Sequence, residues 1–148
     1  MDNIIISKMQ DEDIEEALLT EQSHNIHILS KNILKEDIKN KNYNYLVAKN
    51  NDGKIIGYIG ISYVLDSADI ISIVVHKDYT QKGIATLLLQ EIFAFAKENN
   101  IQKIMLEVRR SNIPAQKLYE KHGFKQIAIR NNYYDNTEDA LIYEKELQ

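Results

Sequence analysis

Two side chains in the C-terminal half of the chain have the chemistry of a proton acceptor and a proton donor. Glu107 lies in the run L-E-V-R-R-S-N, and Tyr119 lies in the run L-Y-E-K-H-G-F that follows it. Forming an amide from a thioester requires the attacking nitrogen to lose a proton, the oxyanion to be stabilised and the thiolate to leave. A carboxylate suits the first of these tasks and a phenol suits the third.

A short polar loop, T-Q-K-G-I-A from Thr80 to Ala85, precedes the clearest helical pattern of the sequence. The first turn of a helix leaves backbone N–H groups without intrahelical partners, and the helix dipole makes this end attractive to anions. Gly83 would let the backbone approach a pyrophosphate closely, and Lys77 and Lys82 would add positive charge. The loop fits neither a P-loop, since no G-K-S or G-K-T follows, nor the three-glycine dinucleotide fingerprint.

Composition excludes several function classes. The chain has 148 residues, which predicts one domain spanning residues 1–148 with a sizeable core. A hydrophobic fraction of 44% and a charged fraction of 27% are typical of globular proteins. The net charge of −4 argues against a nucleic acid or an anionic membrane as partner. The absence of cysteine excludes disulfides, a thiol nucleophile and cysteine metal sites.

Neither a metal site nor a targeting segment is expected. His24 and His27 lie three positions apart with no accompanying acidic or cysteine pattern, so we interpret both as loop or surface residues. No apolar run approaches the roughly 18 residues of a membrane helix. The first residues, M-D-N-I-I-I-S-K, are too few and too acidic to form a secretory signal. We therefore expect a cytoplasmic protein, and the sequence leaves its oligomeric state open.

Hydrophobic periodicity and turn signals predict the elements that position these residues. Strands are predicted at 3–9, 45–49, 54–64, 70–76, 103–109, 124–132 and 140–145, and helices at 11–27, 30–40, 83–99 and 113–121. The strand at 70–76 alternates too little to be half exposed, which predicts a central position in the sheet. The order β-αα-βββ-α-β-α-ββ indicates an α/β domain (α+β in some schemes) with a mixed sheet.

Two helices have further signals. Pro114 lies in the first turn of the helix at 113–121 and Gly123 lies just past its end, as is typical of a helix start and stop. In the helix at 83–99 the predicted buried face consists of six residues: Leu87, Leu88, Glu91, Ile92, Phe95 and Ala96.

The loop from Thr80 to Ala85 resembles the acetyl-coenzyme A loop of the GNAT superfamily of N-acetyltransferases. In that pattern a glutamine or arginine precedes the glycine by three positions, and a glycine or alanine follows it by two. Gly83 and Ala85 match, while Thr80 stands where glutamine or arginine is usual. The resemblance implies a single-domain, mostly antiparallel sheet with flanking helices and splayed central strands, where the main chain of Ile73 and Val75 meets the acetyl and pantetheine groups.

The runs around Glu107 and Tyr119, together with R-N-N-Y-Y-D-N-T-E-D-A from Arg130 to Ala140, resemble the RimI branch of that superfamily. In that branch the matching glutamate is the general base, the matching tyrosine is the general acid, and the asparagine matching Asn112 contacts the coenzyme. The resemblance implies acetyl-coenzyme A as co-substrate, bound by Ile73, Val75, Gln81, Lys82, Gly83, Ile84, Ala85, Thr86 and Asn112. It further implies an acceptor side formed by Tyr133, Tyr134, Glu138 and Asp139.

The same resemblance implies that the acceptor is the N-terminal alanine of small-subunit ribosomal protein eighteen, whose basic start would suit Glu138 and Asp139. Freeing an α-amino group with a pKa of about 8 at pH 7 costs on the order of 1 kcal/mol, against about 4.6 for lysine, so the α-amine is the easier acceptor. A polyamine or antibiotic acceptor, a non-catalytic acetyl-coenzyme A sensor and an interaction domain remain alternatives.

Overall fold

The computed structural model describes residues 3–134 and 137–147, so Asp135 and Asn136 of the C-terminal motif lie outside the described residues, as do Met1, Asp2 and Gln148. The predicted order of elements is confirmed. The elements are β1 (Ile5–Lys8), α1 (Ile14–Gln22), α2 (Lys31–Asp37), β2 (Tyr43–Lys49), β3 (Ile55–Val64), β4 (Ser67–Val75), α3 (Ile84–Glu98), β5 (Lys103–Arg109), α4 (Ile113–Lys121), β6 (Lys125–Tyr134) and β7 (Glu138–Glu146).

The strands form one mixed sheet with the order β1-β2-β3-β4-β5-β7-β6. The pairs β1–β2, β2–β3, β5–β7 and β6–β7 are antiparallel, and β4–β5 is parallel. The α/β class and the central position of β4 are therefore confirmed. Within the described residues, the parallel ladder joins Ser67–Asp69 to Lys103–Met105, and both strands continue beyond it.

The chain divides into two compact units. The first unit runs to Ser62 and resumes from Ile71 to Phe95, and the second comprises Tyr63–Ile70 and the chain from Ala96 onward. The core of the first unit contains the fully buried side chains of Ile14, Leu34, Val47 and Tyr58, among others. The core of the second unit is built from the inward faces of β5 and β7 with Tyr119 and Phe124. The prediction of a single domain for residues 1–148 stays a prediction.

Three helices end in the same way, with a left-handed residue that stops the helix. The backbone φ is 57° at Asn25 after α1, 58° at Asn100 after α3 and 91° at Gly123 after α4. After α1 the N–H of Ile26 reaches back to the carbonyl of Glu21 at 3.2 Å, which is the Schellman pattern. The predicted stop at Gly123 is confirmed, but α1 ends at Gln22 rather than near His27, because Asn25 supplies the stop.

The buried face of α3 is centred one position away from the prediction. Leu88, Ile92 and Ala96 are fully buried as expected, whereas Leu87 is 38% exposed and Glu91 is also exposed. Leu89, which was not predicted, is fully buried in their place. The inward stripe therefore follows an i, i+4 repeat that begins at Ile84, and the predicted burial of Leu87 and Glu91 was wrong.

The turn between β3 and β4 contains a strained residue. Leu65 has a φ of 55° and is 90% exposed. A left-handed conformation costs a residue with a Cβ roughly 1–2 kcal/mol, a cost that glycine does not have. Glycine, however, loses more conformational entropy on folding, which offsets about 0.5–1 kcal/mol of this gain. Leu65→Gly should therefore raise the free energy of unfolding by about 0.5–1 kcal/mol, measured by urea denaturation. An unchanged or lower value would show that this turn is not left-handed in solution.

Candidate active site

The loop before α3 is held by its own side chains. Nδ1 of His76 accepts a hydrogen bond from the N–H of Asp78 at 3.1 Å, which caps a short 3-10 turn from Lys77 to Tyr79. The hydroxyl of Thr80 donates to the carbonyl of Lys77 at 3.2 Å. Thr80, the departure from the superfamily pattern, therefore stabilises the loop from within.

The backbone after this turn is shaped for the close approach of an anion. Gln81 and Gly83 have φ values of 62° and 82°, and a Cβ built on Gly83 would meet no heavy atom within 4 Å. The open space in front of Gly83 adjoins the N-terminus of α3, and the N-terminal end of a helix attracts anions. These residues fit the phosphate groups of a coenzyme.

Two lysine side chains lie close to the ring of Tyr79, which directly precedes the loop. Nζ of Lys82 and Nζ of Lys54 each lie 5.4 Å from the centre of the Tyr79 ring. Lys82 was predicted, whereas Lys54 was not, because it belongs to the β2–β3 turn and reaches the loop through the tertiary fold. No local signal in the sequence connects Lys54 with the loop.

The other residues predicted to contact the donor differ in exposure. Ile73 and Val75 are half-buried and alternate with the buried Ser72 and Val74 on β4, so they share one face of the strand. At the start of α3, Ala85 and Thr86 are half-buried. The side chain of Ile84 is buried in the core, which leaves the main chain of this residue as its means of contact with a ligand.

Glu107 lies on the face of β5 that carries Met105 and Arg109, opposite the buried Leu106 and Val108. Its side chain is 32% exposed, and Oε1 lies 3.2 Å from Nη1 of Arg130. An exposed ion pair of this kind contributes about 0–1 kcal/mol. A second cation can therefore replace Arg130 beside the carboxylate at small cost.

Tyr119 is buried on α4, with 7% of its surface exposed. Its ring packs edge-on against Phe124 at 5.7 Å and lies 6.4 Å from the ring of Tyr143. Burial, with a smaller contribution from Tyr134, raises the pKa of the Tyr119 hydroxyl to about 12. The group is therefore a hydrogen-bond donor throughout the neutral range.

Asn112 caps α4. Its Oδ1 accepts a hydrogen bond from the N–H of Ala115 at 3.2 Å. The cap uses the oxygen of the side-chain amide and not its nitrogen, so Nδ2 keeps its capacity to donate.

Glu138 and Asp139 are each paired with an arginine of the second unit. Glu138 accepts from the N–H of Ser111 at 2.7 Å and from Arg109 at 3.1 Å. Hydrogen bonds from Ser111, helped by Arg109, hold the pKa of Glu138 below its ordinary value. Both carboxylates were predicted to attract a basic acceptor, but these contacts already offset much of their charge.

Asp139 has the same arrangement one residue later. It accepts from the N–H of Asn132 at 3.0 Å and from Nη1 of Arg110 at 2.7 Å. The hydrogen bond from Asn132 is the largest cause of its lowered pKa, and Arg110 adds to it. Asn132 itself has a φ of 51°, so this carboxylate also stabilises an irregular point of β6.

Tyr133 and Tyr134 form a T-shaped pair with ring centres 5.0 Å apart. The guanidinium of Arg130 lies 5.0 Å from the Tyr133 ring, and that of Arg109 lies 4.1 Å from the Tyr134 ring. Tyr133 is 47% exposed and Tyr134 is half-buried, so neither belongs to the core. Burial raises the pKa of Tyr134, and the Glu107 carboxylate adds to this effect.

The predicted residues thus fall into two groups. The loop, the end of β4 and the start of α3 lie in the first unit, whereas Glu107, Asn112, Tyr119 and the two tyrosines of β6 lie in the second. Within the second unit, the Glu107 carboxylate helps to raise the pKa of Tyr134, and Tyr134 helps to raise that of Tyr119.

Residues 3–134 and 137–147 contain no group of three histidine, cysteine, aspartate or glutamate side chains that could hold a metal ion. In the same ranges no helix is long and apolar enough to cross a membrane.

Comparisons with known proteins agree with the geometry. The profile of the acetyltransferase (GNAT) family matches residues 8–124. The chain is 31% identical to the ribosomal protein bS18-alanine N-acetyltransferase of Escherichia coli over 93% of both chains. It is 36% identical to the enzyme of the same name from Haemophilus influenzae, over 88% of this chain and 87% of the relative.

Solved structures show the same similarity. The crystal structure of the Escherichia coli ribosomal-protein-S18-alanine N-acetyltransferase superposes with a TM-score of 0.90, at 30% identity, over 99% of this chain and 95% of that one. The PaiA N-acetyltransferase of Thermoplasma acidophilum, solved in complex with coenzyme A, superposes with a TM-score of 0.82 at 25% identity, over 98% and 99% of the two chains.

Proposed function

The chain belongs to the acetyltransferase (GNAT) family and is an acetyl-transferring enzyme, and from this premise we propose that it acetylates the N-terminal α-amino group of a protein with acetyl-coenzyme A as donor. The observation that carries the proposal is the similarity over nearly the whole chain to enzymes named ribosomal protein bS18-alanine N-acetyltransferase. The proposed acceptor is accordingly an alanine at the N-terminus of that ribosomal protein.

The proposed donor site lies in the first unit. The N–H groups at the start of α3 and the open backbone at Gly83 bind the diphosphate, and Lys82 and Lys54 add positive charge. The main chain of Ile73 and Val75 contacts the pantetheine and acetyl groups, and Gln81, Ile84, Ala85 and Thr86 complete the site through the loop and first turn. When bound, the thioester supplies an activated acetyl group.

The proposed proton transfers belong to the second unit. Glu107 accepts the proton of the acceptor amine, directly or through a water molecule, after the ammonium has taken the place of Arg130. Tyr119 donates a hydrogen bond to the departing sulfur. Asn112 donates from Nδ2 to the coenzyme while its Oδ1 caps α4.

Tyr133 and Tyr134 are proposed to contact the acceptor peptide. The guanidinium groups of Arg130 and Arg109 lie over the two rings, and both rings are partly exposed. These features suit contact with a polar peptide backbone. Glu138 and Asp139 act on the acceptor mainly by fixing Arg109, Arg110 and the start of the β6–β7 hairpin. This assignment differs from the expectation that their acidic groups suit a basic N-terminus.

The proposal is tested by incubating the protein with acetyl-coenzyme A and a peptide that begins Ala-Arg, followed by mass spectrometry. We expect one added acetyl group on the α-amine, and no product from the same peptide with a blocked N-terminus. Transfer to spermidine without transfer to the peptide would replace the proposal with a small-amine acetyltransferase. Tight coenzyme binding without any transfer would indicate a sensor.

Gly83→Ala tests the donor site. The new Cβ lies where the anion would approach, and the φ of 82° strains any residue that has a Cβ. We expect the Kd for coenzyme A, measured by calorimetry, to rise about tenfold or more, equivalent to about 1.4 kcal/mol.

The matched control for Gly83→Ala is Gly53→Ala. Gly53 has a φ of 77° and equally open surroundings, but it lies in the β2–β3 turn. It should lose comparable stability without losing affinity for the coenzyme. Equal loss of affinity in both variants would attribute the effect to global strain and remove Gly83 from the site.

A further inference from the structure

The segment between α1 and α2, residues 23–30, is bonded directly to the end of β4. Nε2 of His24 lies 2.7 Å from the carbonyl oxygen of Val75, and Oγ of Ser23 accepts from the N–H of Lys77 at 3.1 Å. Because a carbonyl oxygen only accepts, His24 must carry its proton on Nε2. These contacts lie within the first unit, next to the loop proposed to bind the donor.

A buried polar cluster fastens the middle of the same segment. Glu21 is 1% exposed, and its carboxylate accepts from the hydroxyl of Tyr58 and, at 2.8 Å, from the N–H of Ile28. The hydroxyl of Tyr58 also contacts Oγ of Ser72 on β4 at 2.8 Å. The segment is therefore fixed at two points to the strand that ends at Val75.

The peptide unit between Val75 and His76 is held from both sides. Its N–H, from His76, donates to the carbonyl of Ile56 at 2.8 Å, and its carbonyl, from Val75, accepts from His24. A peptide held at both its donor and its acceptor keeps one orientation. Removing His24 releases one of these two constraints.

We propose that His24 is a positioning residue for coenzyme A: it fixes the Val75 peptide and thereby couples the order of residues 23–30 to occupancy of the donor site. This inference rests on the proposed binding of the coenzyme by β4. Since such coupling is reciprocal, coenzyme A also orders the segment. The sequence indicated only that His24 is a loop or surface residue. Its contact with the carbonyl of Val75 on β4 suggests the further role of positioning that peptide.

The experiment compares His24→Ala with His24→Gln and with His27→Ala in the full chain. The amide nitrogen of glutamine can take the place of Nε2, and His27 is an exposed histidine of the same segment. Coenzyme A binding is measured by calorimetry, and hydrogen exchange of the Ile28 amide is measured with and without coenzyme A. Thermal unfolding is recorded for every variant.

For His24→Ala we expect a Kd for coenzyme A that rises about three- to tenfold, the value of one hydrogen bond. The melting temperature should fall slightly, because one exposed hydrogen bond of the folded state is lost, and the protection of Ile28 by coenzyme A should be reduced. His24→Gln should restore both properties, and His27→Ala should behave as the unaltered protein.

Two results would overturn the inference: a His24→Ala variant that binds coenzyme A normally, or equal effects of His24→Ala and His27→Ala. A failure of the proposed coenzyme site has a different outcome, since the unaltered protein would then not bind coenzyme A at all. A failure of the proposed acceptor would be seen only in the transfer assay and would leave these binding measurements unchanged.

Discussion

Replacing Glu107 with glutamine is expected to lower kcat by about 10²- to 10⁴-fold, the usual contribution of a positioned general base. The amide has nearly the same shape as the carboxylate but does not accept a proton at neutral pH. The Kd for coenzyme A should not change, because the proposed donor residues other than Asn112 belong to the first unit. Steady-state kinetics with the Ala-Arg peptide and calorimetry with coenzyme A measure the two quantities.

The structure also predicts how the stability of Glu107→Gln behaves. The variant loses the 3.2 Å ion pair with Arg130, but that pair is exposed and contributes at most about 1 kcal/mol. The fold should therefore survive, and the loss of activity can be read as a chemical effect.

Glu146→Gln is a suitable control for this variant. Glu146 is an exposed strand residue whose strand, β7, pairs directly with β5. It should retain full activity. Comparable losses of kcat and coenzyme affinity in Glu107→Gln would indicate that Glu107 is structural, and a normal kcat would assign the base to another group.

Most of the fold follows from local chemistry, and this part could be predicted from the sequence. Helix α4 begins and ends at the predicted residues because Pro114 and Gly123 act within one turn of their own positions. Strand β5 also has its predicted bounds, since alternation from Lys103 to Arg109 is a short-range signal. The order of the helices and strands in the described residues followed from such signals.

Two of the errors, the end of α1 and the start of β4, came from interactions between residues far apart in the chain. The end of α1 depends on Asn25 adopting a left-handed conformation while Glu21 is held by Tyr58, 37 positions away. The helical spacing of residues from Asp11 to His27 indicates neither the conformation of Asn25 nor the contact of Glu21 with Tyr58. The strand β4 likewise begins at Ser67 rather than Ile70, because its first residues pair with β5.

For the candidate site, the sequence indicated the types of residue but not their partners. Antiparallel pairing places Arg109 opposite Ala140, and this register brings its guanidinium to Glu138, 29 positions away. The expectation that Glu138 and Asp139 suit a basic acceptor could not include such contacts. The roles assigned to Glu107 and Tyr119 stay predictions. The burial of Tyr119 raises the pKa of its hydroxyl, which favours hydrogen-bond donation over full proton transfer.

Tyr119→Phe is expected to lower kcat by roughly 10²-fold or more if the hydroxyl assists departure of the thiolate. With the pKa of Tyr119 raised to about 12, full proton transfer to a thiolate with a pKa near 8.5 is uphill by roughly 5 kcal/mol. The hydroxyl therefore acts by donating a hydrogen bond. Below about pH 11 the hydroxyl stays protonated, so it should cause no decline of the rate at alkaline pH. A decline near pH 10 that disappears in Tyr119→Phe would contradict this role of the protonated hydroxyl.

Tyr143→Phe distinguishes this chemical role from the packing of a buried phenol. Tyr143 is also buried, its ring lies 6.4 Å from that of Tyr119, and its pKa is likewise raised to about 12, by burial and by Glu120. Its hydroxyl donates to Glu120 at 2.9 Å, so its loss should cost about 1 kcal/mol of unfolding free energy and leave kcat intact. Tyr119→Phe should show the opposite: reduced turnover with little change in stability, because the ring contacts with Phe124 are kept. Equal kcat in Tyr119→Phe and the unaltered protein would dismiss Tyr119 as the group that assists the leaving thiolate.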